Sequence, residues 1–271
     1  MDAEPSSNES HRPSDPLGRA MLDYVRGNAG TLTYRDGPAV EDGRLETFYF
    51  RSPEQWDGET VAVLERLVEA GGPVLDVGCG AGQHLRWLQA NGLEAVGLDV
   101  SPRAVRAARE RGVDRVVVGD QFELPFDADR FRSILVVGTQ LGLAHSLAGV
   151  RERLRAFDRI TDGGGIAIVD NYDPDELDDP DELDDPGLLG YRPDPRPGIG
   201  HRCFHLEYAV DGRSVPRDRQ DGSRRRAVGR SLHFLLFGPG RLREAAEGTD
   251  WRVTEVLGDG GYYRAMLEKC G

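Results

Sequence analysis

A glycine-rich turn is the segment of this sequence whose residue types point most clearly to chemistry. Residues 74–77 are a short, largely β-branched apolar run, and Gly78, Gly80 and Gly82 follow it, ahead of a helical pattern over 83–90. Glycine lets the backbone approach a ligand closely, and the free N–H groups at the start of the next helix attract a carboxylate or a phosphate. Because ligands bind beyond the carboxyl ends of parallel strands, this spacing predicts a ligand site at the turn.

Acidic residues end the next two predicted strands. Asp99 lies 21 residues after Gly78, a position from which a carboxylate accepts hydrogen bonds from ribose hydroxyls. Asp120 ends the following strand, with Phe122 beside it, and the two suit the amino group and the ring of an adenine. The alternatives are a helix-capping role for Asp99 and a turn role for Asp120. Cys79, inside the glycine turn, is expected to be a small packing residue rather than a nucleophile.

Histidines supply two further candidates. His145 follows the predicted fourth strand and is the candidate general base, although a polar residue at the start of a helix explains it equally well. His201, Cys203 and His205 alternate along a predicted strand, so they would share one face. These residue types are zinc ligands, but no fourth ligand is evident, and we therefore predict no metal site.

The elements that must position these residues follow a regular order. Predicted strands and helices alternate between residues 73 and 171, the pattern of βαβ units and of a parallel sheet with helices on both faces. The predicted strands are 73–77, 95–98, 116–118, 131–137 and 166–169, and the helices are 83–90, 101–112 and 147–160. Two later strands, 251–256 and 262–267, are expected as an antiparallel pair at the edge of the sheet.

Together, these motifs resemble those of the class I S-adenosylmethionine-dependent methyltransferases. Residues 76–82 match the family's Asp/Glu-x-Gly-x-Gly-x-Gly motif fully, and 98–102 match its second-strand acid. Residues 119–126 resemble the family's segment beside the adenine, and 154–165 resemble its helix and glycine-rich turn before the fifth strand. The likeness spans roughly residues 55–171, and four motifs in order are far more specific than a glycine triplet alone.

The resemblance implies a fold, a cofactor and the residues that bind it. The fold is α/β, a Rossmann-like doubly wound sheet that is mostly parallel, with an antiparallel C-terminal strand and helices on both faces. The cofactor is S-adenosylmethionine, whose methionine end would lie on the glycine turn, its ribose on Asp99 and its adenine on Asp120. The implied cofactor-binding residues are Asp76, Gly78, Cys79, Gly80, Gly82, Asp99, Val100, Asp120, Gln121, Phe122 and Gly138.

The sequence departs from the family at the fourth strand. Family members often carry Asp after the Phe that opens this strand, but here Arg132 follows Phe131. The strand leads into Val-Gly-Thr-Gln-Leu-Gly at 137–142, which is not the Asn-Pro-Pro-Tyr type of motif that accompanies methylation of amino groups on bases. We therefore expect methyl transfer to a small-molecule acceptor by in-line displacement. An NAD-dependent oxidoreductase and a non-catalytic S-adenosylmethionine-binding protein remain as alternatives.

Charge and composition exclude other classes. The chain has 34 Lys and Arg against 47 Asp and Glu, a net charge of −13, so general binding to a phosphate backbone is disfavoured. Most of the excess negative charge lies in residues 1–15 and 173–186, so the rest of the chain is nearly neutral. The argument against a nucleic-acid partner therefore rests on the motifs more than on the charge. The three cysteines have neither zinc-site nor disulfide spacing, which is typical of a reducing cytoplasm. The first residues lack the pattern of a signal peptide, and no apolar run is long enough to span a membrane. We therefore expect a cytoplasmic protein.

The domain organisation follows from these patterns. We predict a disordered tail over 1–15 and a single domain over 16–271. Within that domain we expect a helical lid at 16–72 with a helix starting at Ser52-Pro53, the cofactor-binding core at 73–171, an acidic and arginine-rich insertion at 172–230, and C-terminal strands at 231–271. The sequence assigns no role to the acidic repeat at 174–185, and it leaves the oligomeric state unknown.

Overall fold

Two β-sheets and the helices packed on them make up the structure, a computed structural model that describes residues 14–177, 188–210, 226–258 and 260–270. The helices are α1 (Pro16–Val25), α2 (Leu45–Tyr49), α3 (Gly58–Ala70), α4 (Gln83–Ala90), α5 (Pro102–Glu110), α6 (Leu147–Ile160) and α7 (Pro239–Ala246). The strands are β1 (Thr31–Asp36), β2 (Ala39–Asp42), β3 (Val74–Val77), β4 (Ala95–Asp99), β5 (Val116–Val118), β6 (Phe131–Val136), β7 (Thr161–Tyr172), β8 (Tyr191–Pro193), β9 (Ile199–Ala209), β10 (Arg226–Val228), β11 (Leu232–Phe237), β12 (Trp251–Leu257) and β13 (Tyr262–Lys269).

The larger sheet confirms the predicted α/β fold. Its seven strands lie in the order β12-β13-β7-β6-β3-β4-β5. Strands β3 to β7 pair in parallel, whereas β13 is antiparallel to both β7 and β12. The carboxyl ends of β3, β4, β6 and β7 therefore meet at one edge, where ligands bind in open α/β sheets.

Helices cover both faces of this sheet, which is why its strands are apolar on both sides. Successive residues of β7 point to opposite faces. Ile168 packs in the layer formed with α3, α4 and α5, and Val169 packs in the layer formed with α6 and α7. Both faces of the sheet are thus buried, and its polar functional residues lie at the carboxyl edge.

A second, six-stranded sheet corrects the predicted helical lid. Strand β9 lies at its centre: β8 and β11 pair with the first half of β9, β1 and β10 pair with the second half, and β2 pairs with β1. The predicted helical lid over 16–72 is therefore wrong for β1 and β2. Leu32 and Tyr34 are buried between more exposed threonines, the alternation typical of a strand. Of the strands predicted within 231–271, β11 belongs to this second sheet, whereas β12 and β13 belong to the larger one.

The helix predicted from Ser52-Pro53 begins later than expected. Ser52 and Gln55 form a capping box, but it closes only a single 3-10 turn at Pro53–Gln55. Trp56 then has extended backbone angles, and Asp57 is the residue that caps α3 by accepting a hydrogen bond from the Thr60 amide at 2.6 Å. Two capping signals five residues apart compete here, and the second one starts the longer helix.

Parts of the domain prediction lie outside the described residues. These parts are residues 1–13 of the predicted tail, 178–185 of the acidic repeat at 174–185, and 211–225 of the arginine-rich stretch at 211–230. Asp15, which we assigned to the tail, is placed: it caps α1 through the Gly18 amide and accepts a hydrogen bond from Ser101 Oγ at 2.6 Å. Among the described helices, none is long and apolar enough to cross a membrane.

The single lysine of the chain ties β13 to α6. Lys269 Nζ donates to the carbonyls of Asp158 (2.9 Å) and Thr161 (2.6 Å). Replacing Lys269 with Met would leave both carbonyls without this donor, and we expect a loss of about 1–2 kcal/mol in unfolding free energy. Urea denaturation measures this loss, and Lys269→Arg should recover part of it. An unchanged midpoint in Lys269→Met would contradict the assignment.

Candidate active site

The glycine turn between β3 and α4 has the backbone that the sequence motif requires. Gly78, Gly80 and Gly82 have φ values of +73°, +54° and +73°, a region that side chains disfavour. A Cβ on Gly80 would lie 3.1 Å from Met21 Cε and 4.0 Å from Tyr49 Cδ1, so both side chains cover the turn. Met21 is unbranched, and methionine adapts its shape to its surroundings.

Asp99 links the ends of β3 and β4. Its two carboxylate oxygens accept hydrogen bonds from the Gly80 amide at 2.9 Å and the Ser101 amide at 2.8 Å. Burial raises the pKa of this carboxyl, and the two amides oppose that shift. Asp99 also lines the large cavity described below. It therefore fixes the glycine turn and presents a carboxylate to the cavity, the arrangement that a ribose diol requires.

Asp76 lies beneath the turn and is nearly inaccessible. Its exposed fraction is 2 %. Burial, followed by repulsion from Asp99, raises the pKa of Asp76 to about 7. Cys79 packs against Gly97, and burial raises the pKa of its thiol well above the usual value, so the residue is a packing thiol rather than a nucleophile.

The raised pKa of Asp76 predicts a pH-dependent stability. Between about pH 4 and 7 the unfolded chain releases this proton while the folded chain keeps it, so the unfolding free energy falls as the pH rises. Asp76→Asn removes this ionisation and should raise the thermal midpoint at pH 8 by several degrees, with less change at pH 4. Melting curves across this range test the effect. A variant whose midpoint falls with pH as steeply as that of the wild type would contradict it.

One cavity of about 1630 Å³ lies between the carboxyl edge of the larger sheet and the second sheet. The larger sheet contributes Asp99, Gly138 and Asp170 to the walls, and the second sheet contributes Tyr34 and Phe204. Tyr49 and Trp56, which precede β3 in the chain, also line the cavity, whereas the ring of Tyr24 packs on that of Phe50 with centroids 4.2 Å apart. The site thus has an aromatic wall opposite the cofactor motifs.

A buried carboxylate that the motifs did not reveal holds the loop after β6. Asp170 is 1 % exposed and accepts hydrogen bonds from the Gly138 and Thr139 amides, each at 2.6 Å, and from the Tyr262 hydroxyl. Gly138 and Thr139 have φ values of +83° and +56°, and the second is strained because Thr is β-branched. Asp170 therefore stabilises a loop conformation that the chain would not adopt by itself.

The residues near the turn fit the methionine end of S-adenosylmethionine. Trp56 and Gln83 line the cavity, and Trp56 Nε1 and Gln83 Oε1 are buried atoms with no hydrogen-bond partner among the described residues. One is a donor and the other an acceptor, which matches a carboxylate and an ammonium group. His84 lies beside them, and burial lowers its pKa to about 4, so its imidazole is neutral at pH 7. These two unsatisfied atoms and the glycine backbone are suited to a zwitterion.

The predicted adenine residues lie at the rim. Val100 is 64 % exposed and lines the cavity. Asp120, Gln121 and Phe122 are not among the residues that line it. Phe122 is 42 % exposed, and the Arg153 guanidinium lies 4.9 Å from its ring centroid. The adenine role of Asp120, Gln121 and Phe122 stays a prediction.

His145, the candidate general base, contacts a second histidine. Its ring is exposed, lies outside the cavity lining, and stacks on His233 at 5.3 Å between centroids. His233 in turn contacts His201 at 3.0 Å, and His205 contacts Glu207. Among the residues that the structure describes, no group of three His, Cys, Asp or Glu is arranged to hold a metal ion.

Comparison with known proteins supports the motif assignments. Residues 75–169 match a family described as a methyltransferase domain. Methyltransferase GfsG of Streptomyces halstedii is 35% identical over 120 residues, which cover 41% of this chain and 42% of that protein. An uncharacterised protein of Methanocaldococcus jannaschii is 32% identical over 107 residues, 39% of each chain. The chain thus aligns with about two-fifths of the length of these relatives.

Solved structures share the fold over a larger span. An S-adenosylmethionine-dependent methyltransferase of Bacteroides fragilis, crystallised with S-adenosylhomocysteine, superposes with a TM-score of 0.70 at 20% identity, covering 98% of this chain and 100% of that one. The sugar N-methyltransferase KedS8 of a Streptoalloteichus species gives a TM-score of 0.54 at 16% identity, covering 100% and 99%. The resemblance to class I methyltransferases that the motifs indicated is confirmed.

Proposed function

We propose that this protein transfers a methyl group from S-adenosylmethionine to a small-molecule acceptor. The observation that carries the proposal is the position of Asp99, which joins the glycine turn to the floor of a cavity of about 1630 Å³. A cofactor held at this edge would leave part of the cavity for an acceptor. Because the second sheet covers that part, the space suits a small molecule better than a nucleic-acid strand.

Different residues would bind the three parts of the cofactor. The turn from Gly78 to Gly82, with Trp56 and Gln83, would hold the methionine end; Asp99 would hold the ribose, and the rim beside Phe122 the adenine. When bound, S-adenosylmethionine supplies an electrophilic methyl group, whose carbon bonds to an acceptor lone pair as its bond to sulfur breaks and sulfur keeps the electron pair. The proton that the acceptor loses passes to solvent.

The chain's own residues orient the acceptor and exclude water, the main contributions to an in-line displacement. The hydroxyl groups of Tyr34 and Tyr49 lie 3.1 Å apart beside the turn. Burial raises the pKa of both phenols, so they stay protonated at neutral pH and act as hydrogen-bond donors and acceptors. Neither is a general base. A neutral amine acceptor needs none, since it loses its proton to solvent after the transfer, whereas a hydroxyl acceptor would need a base to take its proton as the bond forms.

We also place the protein in the cytoplasm. Cys79, Cys203 and Cys270 are all free thiols, which suits a reducing compartment. The site suits neither a nucleic acid nor a membrane surface as the partner, and the acceptor itself is the small molecule that the cavity admits.

A screen of acceptors tests the function. The full chain is incubated with S-adenosylmethionine and a panel of hydroxylated, amino and phenolic small molecules, and S-adenosylhomocysteine release and product mass are measured. We expect one chemical class to gain 14 mass units, with slower transfer by Asp99→Ala when S-adenosylmethionine is below saturation. Binding of S-adenosylmethionine without transfer to any acceptor would favour the non-catalytic alternative, and reduction of NAD⁺ would favour the oxidoreductase.

A further inference from the structure

Four of the described residues that line the cavity are carboxylic acids: Asp15, Asp57, Asp99 and Asp170. Asp15 and Asp57 cap helices, and Asp99 holds the glycine turn. Asp170 differs from these three because its carboxylate accepts a hydrogen bond from a phenol, Tyr262, which also lines the cavity. The two side chains therefore connect the cavity to a buried carboxylate through a group that carries a proton.

This pair lies on the side of the larger sheet away from the cofactor motifs. The glycine turn and Asp99 follow β3 and β4, whereas Asp170 is near the end of β7 and Tyr262 begins β13, beyond β6 in the strand order. The loop after β6 lies between them, and a Cβ on Gly78 would come within 2.8 Å of Gln140 in that loop. We therefore expect the acceptor over β6, β7 and β13, next to this pair.

The hydrogen bond between the two side chains has one direction. Asp170 also accepts hydrogen bonds from the Gly138 and Thr139 amides, so three donors surround its carboxylate. Tyr262 consequently donates its single proton to Asp170, and its oxygen keeps lone pairs. These lone pairs can accept a hydrogen bond from a donor in the cavity, such as the hydroxyl of an acceptor.

Neighbouring side chains fix the position of the Tyr262 ring. The Arg264 guanidinium lies 5.1 Å from the centroid of this ring, and the centroid of the Tyr172 ring lies 5.2 Å from it. Arg264 is itself held, since it donates to Glu59 at 2.9 Å and to Thr60 Oγ1 at 2.7 Å. The phenol is therefore positioned before an acceptor arrives, which lowers the entropic cost of aligning a proton transfer.

The pKa shifts of the two groups suit a proton transfer from one to the other. Burial, and then the charge of Asp170, raises the pKa of Tyr262 well above its usual value, while Arg264 lowers it. Tyr262 is thus a neutral phenol at pH 7, which takes up one proton only as it gives up another. Burial also raises the pKa of Asp170, against its three hydrogen bonds, and makes its carboxylate a better proton acceptor.

From this geometry we infer that the acceptor is a hydroxyl compound, and that Tyr262 takes its proton while passing its own proton to Asp170. The inference rests on the proposed function and names its substrate class. As the acceptor oxygen bonds to the methyl carbon, the carbon–sulfur bond breaks and sulfur keeps the electron pair. In the same step the acceptor's proton bonds to Tyr262 Oη, and the phenolic proton moves to Asp170 Oδ2. That proton returns to solvent by the same path after the product leaves. Tyr262 is therefore a catalytic residue, and Asp170 acts through it.

Three probes that share a naphthalene body test the inference. This body suits the aromatic wall of the cavity, in which Phe204 and Phe234 stack with centroids 5.5 Å apart. The probes are 2-naphthol, which is neutral at pH 8, 1-nitro-2-naphthol, which is ionised at that pH, and 2-naphthylamine. We expect methyl transfer to 2-naphthol, and we expect Tyr262→Phe to lower kcat for this probe by roughly 100-fold or more. The ionised probe needs no base, so the same variant should slow its methylation less than roughly threefold.

Tyr263→Phe is the matched control. Tyr263 is the next residue of β13, donates to the Phe237 carbonyl at 2.8 Å, and is not among the residues that line the cavity. Its replacement removes one buried hydrogen bond and should leave kcat for both naphthols unchanged. Asp170→Asn keeps the shape of the side chain and should show the same selective loss as Tyr262→Phe. Quenching of tryptophan fluorescence by 2-naphthol measures its binding, so weaker binding is distinguished from slower transfer.

Two results would overturn the inference. One is transfer to 2-naphthylamine without transfer to 2-naphthol. The other is an equal loss for the neutral and the ionised naphthol in Tyr262→Phe, because a purely structural role of the phenol slows both. S-adenosylhomocysteine is titrated in parallel. A chain that binds it and fails these tests refutes the proton transfer through Tyr262, whereas a chain that does not bind it refutes the proposed function.

Discussion

Replacing Asp99 with alanine is expected to weaken S-adenosylhomocysteine binding by roughly 10- to 100-fold, because a hydrogen bond to a charged group contributes about 1.5–3 kcal/mol. The carboxylate has two roles that alanine removes: it accepts from the Gly80 and Ser101 amides, and it faces the cavity where the ribose would lie. Isothermal titration with S-adenosylhomocysteine measures the effect directly.

Two further variants show whether the loss belongs to the carboxylate. Asp99→Asn keeps the shape and one acceptor oxygen, so we expect a smaller loss of roughly three- to tenfold. Asp114→Ala removes an exposed carboxylate between α5 and β5, away from the cavity, and should leave the affinity unchanged. If Asp99→Ala binds as tightly as the wild type, the ribose assignment is wrong.

Replacing Asp170 with alanine should cost about 3–4 kcal/mol of unfolding free energy, which lowers the thermal midpoint by roughly 6–16 °C in a chain of this size. The carboxylate satisfies two amides of a left-handed loop and the Tyr262 hydroxyl. Without it the buried Thr139 amide has lost its acceptor, and nothing offsets the strain at that residue. Chemical denaturation monitored by tryptophan fluorescence gives the change.

A graded series separates the contacts of Asp170. Tyr262→Phe removes only the hydroxyl and should cost about 1 kcal/mol. The wild type, Tyr262→Phe and Asp170→Ala should therefore unfold in that order of decreasing stability. A loss below about 1 kcal/mol in Asp170→Ala would mean that the loop after β6 is held by other contacts.

The sequence predicted the parts of the site that depend on local backbone chemistry. The turn at 78–82 needs positive φ values that glycine adopts without strain, and a carboxylate at the end of β4 reaches that turn because neighbouring parallel strands end together. The sequence also predicted the antiparallel pair of β12 and β13 at the edge of the sheet. The connection between these two strands is short, and a short connection joins antiparallel strands. These features involve segments within about 25 residues of each other or a regular βαβ repeat.

The acceptor side depends on long-range pairing, which the sequence pattern does not specify. Thr31 pairs with Ala209, and only this pairing brings Tyr34 next to Phe204 and Arg202. Leu32 and Tyr34 alternate as a strand does, but four to six residues of alternation do not identify a partner strand. The sequence did not predict the role of Asp170 for a related reason. Its carboxylate accepts hydrogen bonds from the loop after β6, and the sequence pattern does not show that this loop lies against the end of β7.

The candidate base His145 depends on both chain position and side-chain direction. Its position after the fourth strand suggested a side chain directed at the acceptor, but the residue has a φ of +63°. This left-handed conformation turns the ring toward His233 on the second sheet. The role of His145 as a general base therefore stays a prediction.

The central claim is that S-adenosylmethionine binds at the glycine turn, and a calorimetric titration of the unaltered chain with S-adenosylhomocysteine and, separately, with NAD⁺ tests it most directly. We predict one equivalent of S-adenosylhomocysteine bound per chain, with a dissociation constant on the order of micromolar, and no measurable binding of NAD⁺. No heat with S-adenosylhomocysteine, or saturable binding of NAD⁺ in its place, would contradict the account.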